Sequence, residues 1–307
     1  MGASFRRVFR QASASTAIAL AALLGGCDRP ANSEVEHLPA SAPEAPALQS
    51  LTPAECRALY SKPHAGLEAR GLNAEEAKIV SHMFGGLLDP DKITMSAVGD
   101  FKEVAFAQPD EIGWRGDRLR DDYTTDKFWR GVFIHELTHL WQFASAPCNL
   151  DQKFQYAFTL TGQSSFHDLP TEAQADAVAI YAAYYFPPDD VVTFSVDNQL
   201  YNVLVQNGVA VLDTDKDEAL KAAALAAHAP QRFIVYTGSG GVTPDPLQLA
   251  RVVEGQFPLL AEGRAVQEAR WKLAESALLR HMAELVTPPA PQTAVAKNTA
   301  RNPAPHI

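Results

Sequence analysis

The spacing of apolar residues predicts a helix in the middle of the chain, over residues 126–146. Its apolar positions are separated by four residues or by a multiple of four, so they fall on one stripe, which consists of Phe128, Val132, Leu140 and Ala144. Thr124 or Thr125 can cap its start, Asp126 lies in its first turn, and Pro147 ends it. The pattern indicates that one face of this helix is buried.

A second helix is predicted over residues 170–186. Asp168 can cap its start, Pro170 lies near its first turn, and Pro187-Pro188 ends it. Many positions between these residues are alanine, and such small side chains allow a neighbouring helix to approach closely. We therefore expect this segment to pack against another helix.

Turn residues and short apolar segments predict a small antiparallel sheet ahead of the middle helix. The predicted strands are 92–98, 102–108 and 111–114. Residues 104–107 are the expected edge of this sheet, where an extended peptide can pair with it. Two helices are predicted before the sheet, one that starts at Thr52-Pro53 and one over 73–83 that opens with a capping box.

The half of the chain that follows the second helix is predicted to be mostly helical. The predicted helices are 196–206, 217–228, 246–256 and 265–285. One strand is predicted among them, at 233–236, and another at 155–161, between the middle and the second helix. The fold class that these elements predict is α+β.

The middle helix carries two histidines four residues apart, in the segment His135-Glu136-Leu137-Thr138-His139. Because positions i and i+4 lie on the same face of a helix, both imidazoles can bind one metal ion, and zinc suits this spacing. Glu136 can reach a water on that metal and accept its proton. If the histidines were instead ordinary core residues, Glu136 would be a buried charge without a partner, which is costly.

Glu172 and Asp176, on the second helix, are also four residues apart. A catalytic zinc takes three protein ligands and keeps a fourth position open, so Glu172 is the predicted third ligand beside His135 and His139. Asp176 can then orient a ligand imidazole. The alternative for both carboxylates is a solvated helix face.

A group that stabilises the oxyanion of a hydrolytic reaction is harder to identify from the sequence. His167, in the loop before the second helix, and Tyr156 are the candidates, since either could donate a hydrogen bond to developing negative charge. The alternative for His167 is an ordinary histidine on a surface loop.

The two segments together resemble the gluzincin metallopeptidases, in which His-Glu-x-x-His is followed by Glu-x-x-x-Asp on a later helix. The resemblance covers residues 125–186. It implies a zincin-like domain in which His135, His139 and Glu172 bind Zn²⁺, Glu136 is the general base and Asp176 holds His135. The implied activity is zinc-dependent hydrolysis of a peptide or protein substrate.

A looser resemblance extends over more of the same region. The segment from His135 to Gln142, then Tyr156-x-Phe158-x-Leu160 and Glu172-x-Gln174-Ala175, is similar to small bacterial zincin-like proteins that accompany type VI secretion genes. This resemblance implies no particular substrate.

The start of the chain is typical of an export signal. Residues 1–26 have a basic start, with Arg6, Arg7 and Arg10, and contain an apolar run at 17–24, which is far shorter than the roughly 20 residues that span a membrane. Leu24-Gly25-Gly26-Cys27 resembles a bacterial lipobox, which implies cleavage before Cys27 and acylation of its thiol. We therefore expect a lipoprotein anchored in the bacterial cell envelope, on the periplasmic side.

The remaining boundaries follow from composition. Residues 27–50 are rich in Pro, Ala, Ser and Glu without periodicity and are predicted to be a flexible tether. A single zincin-like domain is predicted over 51–286, followed by a disordered tail at 287–307.

The charge of the chain disfavours two classes of partner. Removal of residues 1–26 takes away three arginines and no acidic residue, so the mature chain has 23 basic and 36 acidic residues and a formal charge of about −13. A charge of this sign disfavours nucleic acid and anionic lipid headgroups. Contact with the membrane is therefore expected through the acyl chains at Cys27 alone.

The chain has three cysteines, and acylation of Cys27 leaves Cys56 and Cys148 as an even pair in an oxidising compartment. They can form a disulfide that ties the first helix of the domain to the loop after the middle helix. The alternative is two buried free thiols.

Three functions are compatible with these features. The first is zinc-dependent peptide-bond hydrolysis with Glu136 as general base. The second is a degenerate or zinc-stabilised binding lipoprotein in envelope or secretion assembly, and the third is an amidase that acts on peptidoglycan peptides at the same site. Glu136 favours an enzyme, because a purely structural zinc site has no use for a base.

Overall fold

A computed structural model describes residues 51–61, 68–99, 103–147, 158–234 and 244–288. The predicted signal peptide and tether, with Cys27, and all but the start of the predicted tail lie outside these ranges. Within them, no helix is both long and apolar enough to cross a membrane.

The first part of the fold contains three helices and a four-stranded sheet. In chain order the elements are α1 (Pro53–Tyr60), β1 (Glu68–Gly71), α2 (Ala74–Phe84), β2 (Thr94–Val98), β3 (Ala105–Gln108), β4 (Glu111–Arg115) and α3 (Lys127–Ser145). The capping box predicted at the start of α2 is present, because Asn73 accepts from the backbone of Glu76 and Glu76 accepts from the backbone of Asn73.

The first sheet is mixed, with strand order β1-β2-β4-β3, so the prediction of an antiparallel sheet is wrong. Strands β2 and β4 are parallel because the chain crosses from β2 to the outer strand β3 and returns on β4. Among the described strands β3 is the outermost of this sheet, which confirms the edge predicted at 104–107. Gly113 on β4 allows the Phe106 ring to lie directly over it, where a Cβ atom would be only 2.3 Å from that ring.

Helix α3 starts at Asp126, whose carboxylate accepts hydrogen bonds from the backbone of Phe128 and Trp129, so the predicted cap at Thr124 or Thr125 is wrong. The predicted apolar stripe is also wrong, because Phe128 and Ala144 are exposed. The residues that α3 buries lie on the adjacent face and include Phe133, Ile134, Leu137 and Trp141. Aromatic contacts of Tyr123 with Trp114 and Phe133 join this face to the sheet.

Helix α4 (Thr171–Tyr185) lies against α3 and runs in the opposite direction. Its alanines are almost all buried. This agrees with the prediction, from its alanine content, that the segment packs against another helix. Asp168 does not cap it, because its carboxylate instead accepts from the backbone and hydroxyl of Ser165. Pro170 occupies the cap position, without a side-chain hydrogen bond.

A second four-stranded sheet follows α4, and its strand order is β7-β6-β5-β8. The strands are β5 (Val191–Val196), β6 (Gln199–Gln206), β7 (Val209–Leu212) and β8 (Gln231–Arg232). The helix predicted at 196–206 is therefore wrong. Two-residue turns with positive φ join the strands of two hairpins: Asp197-Asn198 lies between β5 and β6, and Asn207-Gly208 between β6 and β7. Alternate residues of β6 are buried.

The later helices are α5 (Asp217–Leu225), α6 (Pro246–Gln256) and α7 (Leu260–Val286), which confirms those predicted at 217–228, 246–256 and 265–285. The predicted strand at 233–236 is displaced to β8, and its last two residues lie outside the described ranges. Residues 158–161, from the end of the strand predicted at 155–161, are not in a strand.

The buried side chains form two hydrophobic clusters. The first cluster joins the first sheet to α2, α3, α4 and α6. The second cluster joins β5 and β6 to α5 and α7. The α+β fold class is thus confirmed, with a first sheet beside the helix of the histidine pair and helices in most of the remaining described chain.

Candidate metal centre

Three side chains from α3 and α4 meet at one point, as the helical spacing predicted. The Nε2 atoms of His135 and His139 are 3.1 Å apart, and each lies 3.3 Å from Oε2 of Glu172. Among the described residues, this is the group of three or more histidine, cysteine or acidic side chains whose donor atoms are close enough to hold a metal ion.

The triangle of donor atoms fits a tetrahedral metal. Ligands at the usual zinc distances of about 2.0–2.1 Å are about 3.3–3.4 Å apart at the corners of a tetrahedron. The observed separations of 3.1–3.3 Å are close to this value. Two imidazoles and one carboxylate also form a donor set that zinc accepts, with a fourth position left to a water or a substrate.

Asp176 fixes the orientation of the first imidazole. Its Oδ1 is 2.8 Å from Nδ1 of His135, and its side chain is fully buried. A hydrogen bond from Nδ1 to this carboxylate leaves the lone pair of Nε2 directed at the other ligands, which is the tautomer that a metal requires.

A chain of amide hydrogen bonds fixes the second imidazole in the same way. Gln174 donates to the backbone carbonyl of Leu169, at 2.9 Å, and its Oε1 accepts from Nε2 of Gln142, also at 2.9 Å. That Nε2 donates to the carbonyl of Thr171 as well, so Oε1 of Gln142 faces His139 and accepts from its Nδ1 at 2.7 Å. The start of α4 therefore determines the tautomer of His139 on α3.

The sequence did not identify Gln142 as a functional residue. The available signal was its position three residues after His139, which places an amide within reach of that ring. Its orientation, however, depends on contacts with α4 that no spacing within α3 reveals.

The charges at this centre are strongly coupled. Burial on its own would lower the pKa of His135, but hydrogen bonds to Asp176 and Glu172 outweigh it and raise that pKa to about 10. Burial would likewise raise the pKa of Glu172, but hydrogen bonds from the two histidines lower it below its usual range. A metal ion that binds here has to displace a proton from this group of residues.

Glu136 lies beside the cluster but takes no part in its hydrogen bonds. Its side chain is buried, with 7% of the residue exposed, and within the described part of the chain its carboxylate has no hydrogen-bond or ion-pair partner. Burial raises the pKa of this carboxyl, and the charges of His135 and His139 act in the opposite direction. Its oxygens are not among the solvent-inaccessible polar atoms that lack a partner, so water can reach them, as a base that accepts a proton from water requires.

The other predicted site residues are not part of this cluster. His167 is exposed on a short 3₁₀ turn, Phe166–Asp168, and does not belong to the donor group. Tyr156 lies outside the described residues, so its proposed role as oxyanion stabiliser stays a prediction. Cys56 is buried and forms a disulfide, but Cys148 lies outside the described ranges, so the identity of the partner also stays a prediction.

Comparisons of the chain with family models, with curated proteins and with solved structures give no match.

Proposed function

We propose that this protein is a zinc-dependent hydrolase that cleaves a peptide bond, with Glu136 as its general base. The observation that carries the proposal is the Glu136 carboxylate, which makes no hydrogen bond or ion pair within the described chain and lies next to three donor atoms that fit a tetrahedral metal. A zinc site that only stabilises a fold is closed by its ligands and needs no such neighbour.

Each residue of the centre has a distinct part in this chemistry. Bound zinc supplies a water of lowered pKa and polarises a carbonyl group. His135, His139 and Glu172 hold the ion, while Asp176 and Gln142 keep the two imidazoles in the tautomer that binds it. Glu136 accepts the proton of the attacking water and can then deliver it to the leaving amine.

The position of β3 supports a peptide as the substrate. This strand is the outer strand of the first sheet and lies beside α3, the helix that carries both histidines. An extended peptide that pairs with β3 would lie beside this helix, with its backbone held by main-chain hydrogen bonds.

The lipobox-like segment at the start of the chain supports a location at a membrane surface. We propose that acylation of Cys27 anchors the domain and that residues 28–50 let it reorient above the lipid. This places the substrate among envelope proteins or peptides, including the peptide part of the cell wall.

Hydrolysis by zinc-loaded wild type and the Glu136→Gln variant tests the proposal. The substrates are a proteome-derived peptide library and a cell-wall peptide. Wild type should cleave a subset of them, and the variant should lose at least about 10²-fold in rate while it keeps its zinc, because the amide cannot accept a proton. A chelator should abolish cleavage and added zinc should restore it.

Two outcomes contradict the proposal. One is the absence of cleavage by zinc-loaded wild type across the library and the cell-wall peptide, which would favour the binding lipoprotein. The other is equal rates for wild type and Glu136→Gln.

A further inference from the structure

Strand β7 is the outermost strand of the second sheet among the strands that the structure describes. It pairs with β6 through the two-residue turn Asn207-Gly208. In such a hairpin the residues next to the turn exchange backbone hydrogen bonds, and alternate residues along the strand do the same. Val209 and Val211 are therefore bonded to β6, whereas Ala210 and Leu212 direct their N–H and C=O groups toward the outer edge.

Strand β7 has none of the features that usually keep an edge strand from pairing with another strand. Its sequence, Val-Ala-Val-Leu, contains no charged residue and no proline, and its register with β6 contains no bulge. The side chains of Ala210 and Leu212 pack toward the second cluster, while Val209 and Val211 are 60% and 56% exposed. We expect an edge of this kind to be covered by another strand.

The end of α7 lies near the end of β7. Nε2 of His281, in the last turns of α7, is 2.8 Å from Oδ1 of Asp217, which is the first residue of α5 and follows Leu212 by five positions. Leu285 also packs against the second cluster. The residues that follow Val286 therefore start close to the end of β7.

Residues 289–307 lie outside the described ranges and are long enough to reach this edge. Strand β7 has four residues, which span about 13 Å. The prolines at 288, 289 and 291 are followed by a segment without proline, at 292–301. A strand that pairs with an edge supplies backbone N–H groups, which proline lacks, so this segment is the part that can pair.

Charge also favours contact between this segment and the described domain. Residues 289–307 contain Lys297 and Arg301 and no acidic residue, whereas the chain as a whole has a formal charge of −10. Asp213 and Asp215, which follow β7 directly, are exposed. The segment and the surface near the end of β7 therefore have opposite charges and attract each other.

We propose that residues 292–297 pair with β7 and extend the second sheet by one strand. A segment that starts beside Leu212 and runs along β7 toward Gly208 is antiparallel to β7, as the neighbouring strands of this sheet are to one another. Thr293 and Val295 are β-branched and would lie on one face of the added strand. The segment belongs to the tail that composition predicts to be disordered, so its order would depend on this pairing.

Amide hydrogen exchange of the full-length protein, followed by NMR, tests the proposal at single residues. The amides of Ala210 and Leu212 should exchange slowly in wild type, because the added strand accepts their hydrogen bonds. The double variant Ala294→Pro/Val295→Pro removes two adjacent N–H groups from the pairing segment. In this variant the exchange of Ala210 and Leu212 should be at least about tenfold faster.

Two controls separate loss of the added strand from loss of the whole sheet. The amides of Val209 and Val211 are bonded to β6, so they should exchange at the wild-type rate in the double variant. Asn302→Pro places a proline beyond the pairing segment, next to Pro303. All four amides of β7 should exchange in this control variant as they do in wild type.

Three results overturn the proposal. The first is fast exchange of Ala210 and Leu212 in wild type, which would show that the edge is open. The second is equally slow exchange in wild type and the double variant, and if that protection falls on dilution, a second copy of the chain covers the edge. The third is an equal increase at all four amides of β7, which would show that the substitutions loosen the whole sheet. None of these measurements involves zinc or hydrolysis, so a failure here is distinguishable from a failure of the proposed enzymatic function.

Discussion

Glu136 is the residue on which the distinction between a reactive and a structural metal centre depends. Its neighbours His135, His139, Glu172 and Asp176 all have hydrogen-bond partners inside the centre, whereas the Glu136 carboxylate has none in the described part of the protein. A carboxylate that makes no hydrogen bond contributes none to the stability of the centre, so stability alone does not account for its position. Its placement is explained if it exchanges a proton with a reacting water.

Helical spacing was sufficient to predict most of this centre. His135 and His139 are four residues apart, as are Glu172 and Asp176. Each pair could therefore be placed on one face of its helix before any contact between the helices was known. Gln142 could not be assigned in this way, because its amide is oriented by Thr171 and Gln174 across the helix contact. Spacing within one helix carries no information about such contacts.

Gln142→Ala tests whether the amide chain matters for metal binding. Loss of the acceptor at His139 frees that ring to rotate and to change tautomer, so affinity for zinc should fall about 10–100-fold. Competition with a chromogenic chelator measures this change. Gln163→Ala, at an exposed loop position, is the control, and an equal Kd for both variants would show that Gln142 has no part in the metal centre.

At the scale of elements, α2 is joined to the first sheet and to the segment before α3 by one buried carboxylate. Glu76 is fully buried and accepts hydrogen bonds from both Nη atoms of Arg70 on β1, at 2.7 and 2.8 Å. It also accepts from the backbone of Asn73 and of Tyr123, at 2.9 and 3.1 Å. Tyr123 stacks on Trp114, so this network helps to position α3 against the sheet.

Glu76→Ala should therefore lower the free energy of unfolding by about 3 kcal/mol or more, since it leaves Arg70 without its carboxylate partner and two backbone donors without their acceptor. Glu75→Ala is a close control, because Glu75 is the adjacent residue of α2, is exposed and forms a surface ion pair with Lys78. Its effect should stay within about 0.5 kcal/mol. Urea unfolding of both variants gives the comparison, and similar losses would contradict the role assigned to Glu76.

The elements that the sequence predicted well are those whose signals are local. Helices α2 and α6 have side-chain caps at Asn73 and Asp245, which mark their starts. The hairpins of β5, β6 and β7 also had a local signal, the turn Asn207-Gly208, but the apolar run before it was interpreted as a helix. The parallel pairing of β2 with β4 has no local signal, because it depends on which strand takes the edge.

At the scale of the whole molecule, the candidate metal centre and a cavity lie at different ends of the contact between α3 and α4. The metal centre lies where the middle of α3 meets the start of α4. The cavity lies at the opposite end of α4 and is lined in part by Ile134 of the first cluster and by Val192 and Trp271 of the second. Residues far apart in the sequence form this cavity, which is why no motif indicated it.

The proposed membrane anchor makes a prediction for the intact protein. Cys27→Ala removes the thiol that acylation requires, so the protein should move from the membrane fraction to the soluble fraction. Labelling with a fatty-acid analogue should be lost in the same variant. Cys56→Ala leaves the lipobox intact and should remain with the membrane, whereas sedimentation of Cys27→Ala with membranes would place the anchor elsewhere.

Zinc content is the most direct test of the central claim, that α3 and α4 together form one metal centre. Wild-type protein, dialysed against excess zinc and then against buffer, should retain about one zinc ion per chain by elemental analysis. Glu262→Ala, at an exposed acidic position of α7, should retain as much. Glu172→Ala, which removes the ligand that α4 supplies, should lose most of it, as should His135→Ala. Full retention of zinc by Glu172→Ala would contradict the account.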